Sequence, residues 1–330
     1  MSSLETGFLS KTRFLNRGVM GEDFKDRRVI LAIIGILLLA GGVAVGLFGP
    51  LEMYCFYLFS EGGRFHYEGF SFGSFMFGNI AAQIIGYYLI AAVCVPLGYG
   101  HLTARRWARK LTLTLLWFWV VFGIPLTVVF LFTLFSSKDL PIVAGLIVLV
   151  LAGLAYFVAP WLLMRFYRSR DVRLTFEARD PKPSWIDDLP QPVLVLGALL
   201  LFFIIVLHIP IFFNGVFPFF GLLLTGIEGF SMIDVSIFCL AVLTWGVLKR
   251  RPWAWWGALV YLSLLTLSVI VTFPQYTLLD ILVRLHFPPA EVEILDGLPF
   301  HGFHLALALG VPLLITLGLL ILSKRYFRRR

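Results

Sequence analysis

Apolar residues in this chain come in long, nearly uncharged runs separated by short polar stretches. Eight runs come close to or exceed the roughly 20 residues that a helix needs to cross a bilayer. They are Val29–Phe48, Met76–Leu97, Leu111–Phe135, Leu140–Met164, Pro192–Phe213, Met232–Leu248, Trp255–Phe273 and Phe303–Leu322. The short alternating segments of a membrane barrel do not occur, so the runs predict helices. The sixth run is the shortest, and the pattern allows it to start as early as Gly229. That start decides the meaning of Asp234. A carboxylate more than a turn inside the membrane marks an ion path, a proton path or a partner base, whereas at the edge of a span it is an ordinary interfacial residue.

Two shorter apolar segments lie between the runs. Leu51–Phe59 is too short to cross and predicts an interfacial or re-entrant piece. Tyr276–Phe287 predicts a short amphipathic helix lying along the outer membrane surface. Leu278, Leu282 and Leu285 share one face, Asp280 and Arg284 pair four apart on another, and Pro288-Pro289 ends the segment.

Basic residues orient these spans. With eight of them and a cytoplasmic N-terminus, 24 of the 27 Lys and Arg fall in cytoplasmic segments. Only Arg64, Lys138 and Arg284 fall in outer loops. Lys and Arg beside a span hold their loop inside, so both termini are expected in the cytoplasm. The polar lead before Val29 is read as preceding an uncleaved signal anchor rather than as a cleaved signal peptide. The formal charge of +8 is then spread over five segments as topology anchors, which excludes nucleic acid as a partner.

One phrase is written twice. Gly100-His-Leu-Thr-Ala-Arg-Arg-Trp-Ala108 follows the second run, and Gly246-Val-Leu-Lys-Arg-Arg-Pro-Trp-Ala254 follows the sixth. Glu68-Gly-Phe-Ser71 precedes the second run as Glu228-Gly-Phe-Ser231 precedes the sixth, and Arg165–Arg170 ends the fourth as Arg325–Arg330 ends the eighth. These correspondences predict an internal duplication: residues 1–170 and 191–330 as four-span halves joined by a polar linker, 171–190. An even number of spans per half makes the repeat parallel, about an axis along the membrane normal. Within the phrase, Arg105, Arg106, Trp107, Arg250, Arg251 and Trp253 are expected to anchor the turns at the cytoplasmic interface, with the glycine letting the helix end.

Composition agrees with this picture. The chain has 330 residues, of which 59% are hydrophobic and 14% charged, too few polar groups to coat a soluble domain. Cys55, Cys94 and Cys239 form no Cys-x-x-Cys pair, so neither a disulfide framework nor a zinc motif is indicated. No phosphate-binding loop, nucleophile elbow or paired-carboxylate motif occurs.

Candidate chemistry is confined to a few residues. Five of the six histidines fall on the outer side, and His208, His301 and His304 are candidate haem or metal ligands. Glu68, Glu228 and Asp234 are candidates for a ligand or proton path.

The sequence therefore predicts an all-α, polytopic integral membrane protein of eight transmembrane helices, arranged as two parallel four-helix repeats in a bacterial plasma membrane. A non-enzymatic accessory or structural component is the first functional expectation, with membrane lipids and a protein partner or second copy as its contacts. A permease for a small neutral or apolar solute, with its site between the repeats, is the alternative. A haem- or metal-binding membrane protein is a weaker third.

Overall fold

The structure is a computed structural model that describes residues 24–60, 62–66, 70–136, 142–296 and 301–327. Among the described residues, seven helices are long and apolar enough to cross a membrane. An eighth long helix, α3 (Arg106–Ser136), stands between the second and third of these.

The first helix, α1 (Arg28–Phe59), runs unbroken for 32 residues through Pro50. Leu51–Phe59 is therefore the last part of this helix and not a separate interfacial or re-entrant piece. Gly49-Pro50 reads as a breaker, but an apolar surrounding offers freed backbone groups no water, and helix is the conformation that satisfies them. The second helix, α2 (Phe75–Leu102), packs along α1. Apart from Leu31, the buried positions of α1 are Gly35, Gly42 and Gly49, spaced by seven. A Cβ on Gly35 would lie 2.9 Å from the Gly98 carbonyl oxygen, and one on Gly42 would lie 2.9 Å from Cys94 Cβ. Glycine is what lets two backbones approach this closely in a membrane.

Beyond α3, Ile142–Gly153 (α4) and Ala159–Arg168 (α5) form one rod joined by a π turn at Leu154–Val158. The linker is not merely an extended tether: Arg170–Arg179 forms a helix, α6, which buries Val172 and Phe176. These residues are four apart and so share a face. The chain then continues through α7 (Gln191–Leu207), α8 (Gly226–Leu248), α9 (Pro252–Thr272), the short α10 (Leu278–Arg284) and α11 (Pro289–Asp296), and α12 (Gly302–Leu322). Pro289 opens α11 rather than only closing the segment before it, as a proline at the first helical position can. Asp280 forms a capping box with Thr277, and Arg284 stacks on the Tyr276 ring at 4.9 Å.

The main core joins α7, α8, α9 and α12, with α3 packed against α7 and α12. The spans of α8, α9 and α12 each bury 39% of their apolar window, against 17% for α1 and α2 and 6% for the α4–α5 rod. The C-terminal helices thus form the centre, and α1, α2 and the rod flank it.

Between α7 and α8 lies an antiparallel hairpin that the apolar run Phe217–Leu224 did not signal. Its strands are β1 (Phe217–Phe219) and β2 (Leu222–Leu224), paired Phe217 with Leu224 and Phe219 with Leu222. The turn Phe220-Gly221 has φ of 45° and 93°, the left-handed pair that a two-residue hairpin needs. Its backbone is completed by hydroxyls. Ser268 donates to Pro218 O (2.8 Å) and accepts from Phe220 N–H (2.9 Å), Thr272 accepts from Gly221 N–H (2.8 Å), and Tyr276 accepts from Leu223 N–H (3.3 Å).

Candidate functional site

The two copies of the doubled phrase fold into the same turn. Arg105 N–H donates to Gly100 O and Ala104 N–H to His101 O; Arg251 N–H donates to Gly246 O and Arg250 N–H to Val247 O. These are the paired bonds of a Schellman helix end, which needs a left-handed residue just past the helix. Ala104 (φ 49°) and Arg250 (φ 53°) fill that place. The glycines have a different job from ending the helix. A Cβ on Gly100 would meet Ala108 at 2.6 Å and the Trp107 ring at 2.8 Å; one on Gly246 would meet Ala254 at 2.5 Å and the Trp253 ring at 2.8 Å. Each glycine makes room for the Trp-Ala pair that follows it.

The copies differ in what their basic residues hold. In the first, Arg105 lies 3.6 Å from the Asp180 carboxylate, Arg106 N–H donates to Asp180 (3.2 Å), and Lys110 Nζ donates to the carbonyls of Ile186, Asp187 and Leu189. Arg27, ahead of α1, pairs with Asp171 of α6 at 3.2 Å. These cations clamp the linker to the helix ends. In the second copy Lys249, Arg250 and Arg251 are exposed, and Lys324 sits over the rings of Trp255 and Trp256 at 5.2 and 5.4 Å.

Sequence reasoning passed over His101, which lies inside the phrase. It is fully buried, with Nδ1 2.7 Å from Leu97 O and Nε2 2.7 Å from the Tyr167 hydroxyl. A carbonyl only accepts, so Nδ1 carries the proton and Nε2 accepts from Tyr167. The pair joins α2 to α5. Nothing local announces it, because the two residues are 66 apart.

At the opposite, aromatic-rich end a buried carboxylate holds the start of α2. Glu291 of α11 accepts from Phe75 N–H (2.8 Å) and Met76 N–H (3.1 Å), and Ser74 accepts from Phe77 N–H (3.2 Å). Three of the four amides left open at a helix start are thereby satisfied. Phe75, Phe213 and Phe287 form a triangle beside it, with ring centres 6.2–6.3 Å apart. Asn214 completes the junction by donating to Leu285 O at 2.6 Å.

The predicted ligand residues do not all meet. His301 and His304 are adjacent, with ring centres 5.8 Å apart and His304 Nδ1 engaged with the His301 backbone. His208 ends α7 exposed, its Nδ1 2.8 Å from Ile204 O. Among the described residues, no group of three or more His, Cys, Asp or Glu is placed to hold a metal ion. Glu68 lies outside the described residues.

Glu228 and Asp234 belong to α8, which begins at Gly226 and not at Met232. Asp234 is thus more than two turns into the helix. Both carboxylates are exposed, on the side of α8 away from the core residues Ile233, Ser236 and Leu240. They point out of the bundle and do not converge on an interior path.

Comparison with protein-family models, with curated proteins and with solved structures finds no match.

Proposed function

We propose that the chain is a non-enzymatic component of a membrane assembly, with eight spans, both termini in the cytoplasm and two parallel halves. The 31-residue α3 supplies the eighth span. The even count suits a chain whose Arg27 and Lys324 both lie at the basic end. The matching turns at Gly100–Ala108 and Gly246–Ala254 support the duplication.

The observation that carries the functional reading is a contrast between two kinds of polar group in the spans. Inside the bundle, four threonine hydroxyls close on their own helices: Thr127, Thr244, Thr266 and Thr316 each donate to the carbonyl four residues earlier. On the outside, Asp234 faces away from the bundle, eight residues into α8. An interior so arranged packs helices, and an outward carboxylate is costly unless something covers it.

Native mass spectrometry of the protein purified in mild detergent tests this, with an absorbance spectrum on the same sample. A second polypeptide at fixed ratio is expected. A lone chain carrying a bound neutral molecule overturns the reading in favour of a permease, the alternative that the doubled turn favours, since many transporters are built from paired halves. A haem band or stoichiometric metal overturns it in favour of His208, His301 and His304.

A further inference from the structure

The outward face of α8 is a continuous strip: Ile227, Ser231, Asp234, Phe238, Ala241 and Trp245, all exposed and spaced alternately by four and three. This is the seam spacing of two helices that wrap around each other. Its composition departs from that of a lipid-facing strip. On α4 the exposed Val143, Leu146, Ile147, Val150 and Leu151 are all large aliphatics. On α8, small residues are interspersed with large ones: Phe238 is 70% exposed between Asp234 and Ala241, Ile227 is 84% exposed beside Ser231, and Val235 and Val242 border the strip. Large side chains beside small ones make the knobs and holes of a packed helix pair.

The carboxylate fixes the chemistry of the occupant. Lys249 marks the basic end of α8, and Asp234 is 15 residues before it. At about 1.5 Å per residue Asp234 lies about 22 Å from that boundary, so in a hydrocarbon layer of about 30 Å it is about 8 Å below the far surface. That is too deep for an Asp side chain to reach headgroups, since it lacks the long stem that lets Lys and Arg snorkel. Ser231, one turn away, already donates to Ile227 O (2.8 Å).

We propose that α8 docks a transmembrane helix of another protein that carries one Lys or Arg at the depth of Asp234. The cation neutralises the carboxylate, and the apolar seam residues pack around the pair. A second copy of this chain would bring Asp234 against Asp234, two like charges in a low dielectric, and is disfavoured on that ground. The proposal rests on the membrane-assembly reading above and narrows it to a face and a partner chemistry.

The test uses the full-length protein, donor-labelled in phosphatidylcholine vesicles, with acceptor-labelled synthetic Leu/Ala transmembrane helices. One helix carries a single Lys about 8 Å from one end of its apolar stretch, and its twin carries Gln there. Wild type is expected to bind the Lys helix at least tenfold more tightly than the Gln helix. Asp234→Asn is expected to abolish that preference while eluting and melting as wild type does, because residue 234 touches no core. Equal binding of the two helices, a preference that survives Asp234→Asn, or a wild-type homodimer seated on this face each overturns the proposal. The membrane-assembly reading fails separately. A co-purified subunit crosslinking only to α1, without any Lys preference, leaves that reading standing and sinks the docking face. A retained Lys preference with no co-purified subunit does the reverse.

Discussion

Glu291 caps the helix that begins at Phe75, from 216 residues further along the chain. Its two oxygens take the amides of Phe75 and Met76, and its charge sits where the helix dipole is positive. One side chain thus ties the last loop of the C-terminal half to the first hairpin of the N-terminal half. Glu291→Ala is expected to destabilise the protein by about 1–2 kcal/mol, because it strands two part-buried donors. Glu291→Gln keeps one acceptor and loses the charge, so its loss is expected to be smaller. Amide exchange at residues 75–77, read with thermal melting in detergent, checks both. Unchanged exchange in the Ala variant would show that the cap does not hold.

The glycine seam of α1 and α2 gives a prediction with its own control. Gly35→Val places atoms against the Gly98 carbonyl and must push the helices apart, which is expected to cost about 1–3 kcal/mol. A Cβ on Gly41 meets nothing within 4 Å, so Gly41→Ala is expected to leave the melting temperature unchanged or slightly raised. Equal effects at the two positions would contradict the close approach.

Ala104 holds a left-handed conformation that glycine adopts freely. Ala104→Gly is expected to be neutral or stabilising, by up to about 1 kcal/mol. Gly100→Ala is expected to destabilise, because its Cβ would collide with Trp107 and Ala108. Thermal melts of the two variants should move in opposite directions or leave only Gly100→Ala displaced.

Ser268 completes the hairpin tip at both a donor and an acceptor, whereas Thr272 serves one amide. Ser268→Ala is expected to speed amide exchange at Phe220 and to cost more stability than Thr272→Val, each lost bond being worth about 1–3 kcal/mol when its partner stays dry. If Thr272→Val proves the more harmful, the hydroxyl account of the hairpin is wrong.

Hydrogen bonds from the Thr277 hydroxyl and backbone hold the Asp280 carboxyl below the usual carboxylate range. A depressed carboxyl stabilises the fold above its ordinary range and loses that contribution as pH falls through the lowered value. The cap of α10 is therefore expected to persist at pH 5 and to open only in stronger acid. Exchange of the Thr277 amide, which donates to the carboxylate, divided by its intrinsic rate at each pH reads this directly, and Asp280→Asn should make that ratio independent of pH over the same range.

Sequence pattern revealed the long helices because the bilayer imposes length and polarity on each span separately. It revealed the doubled phrase, and the phrase proved to be one turn geometry used twice. What it missed depends on partners distant in the chain. Phe217–Leu224 reads as an undivided apolar run because the hydroxyls that allow it to bend belong to Ser268, Thr272 and Tyr276. Gly49-Pro50 looked like an end because proline usually is one in water. Helix α6 was hidden by its charges, although Val172 and Phe176, four apart, were a usable signal. Glu291 had no local signature at all. Among the candidate site residues, Asp234 was recognised as pivotal, but its direction depends on which face of α8 packs inward.

The hairpin tip has a consequence for how the protein is made. Phe220 and Gly221 leave the ribosome 48 and 51 residues ahead of the hydroxyls that satisfy them, and Phe75 leaves 216 residues ahead of Glu291. Until those partners arrive, the amides have only water, so this end of the chain has to wait in contact with it during insertion. The basic end waits as well: Lys110 meets Ile186 after 76 residues, and Arg27 meets Asp171 only after 144. Translation order thus becomes closure order: the aromatic side stays open until α11 has been synthesised, and the basic side is completed later still, when Lys324 reaches the rings of Trp255 and Trp256.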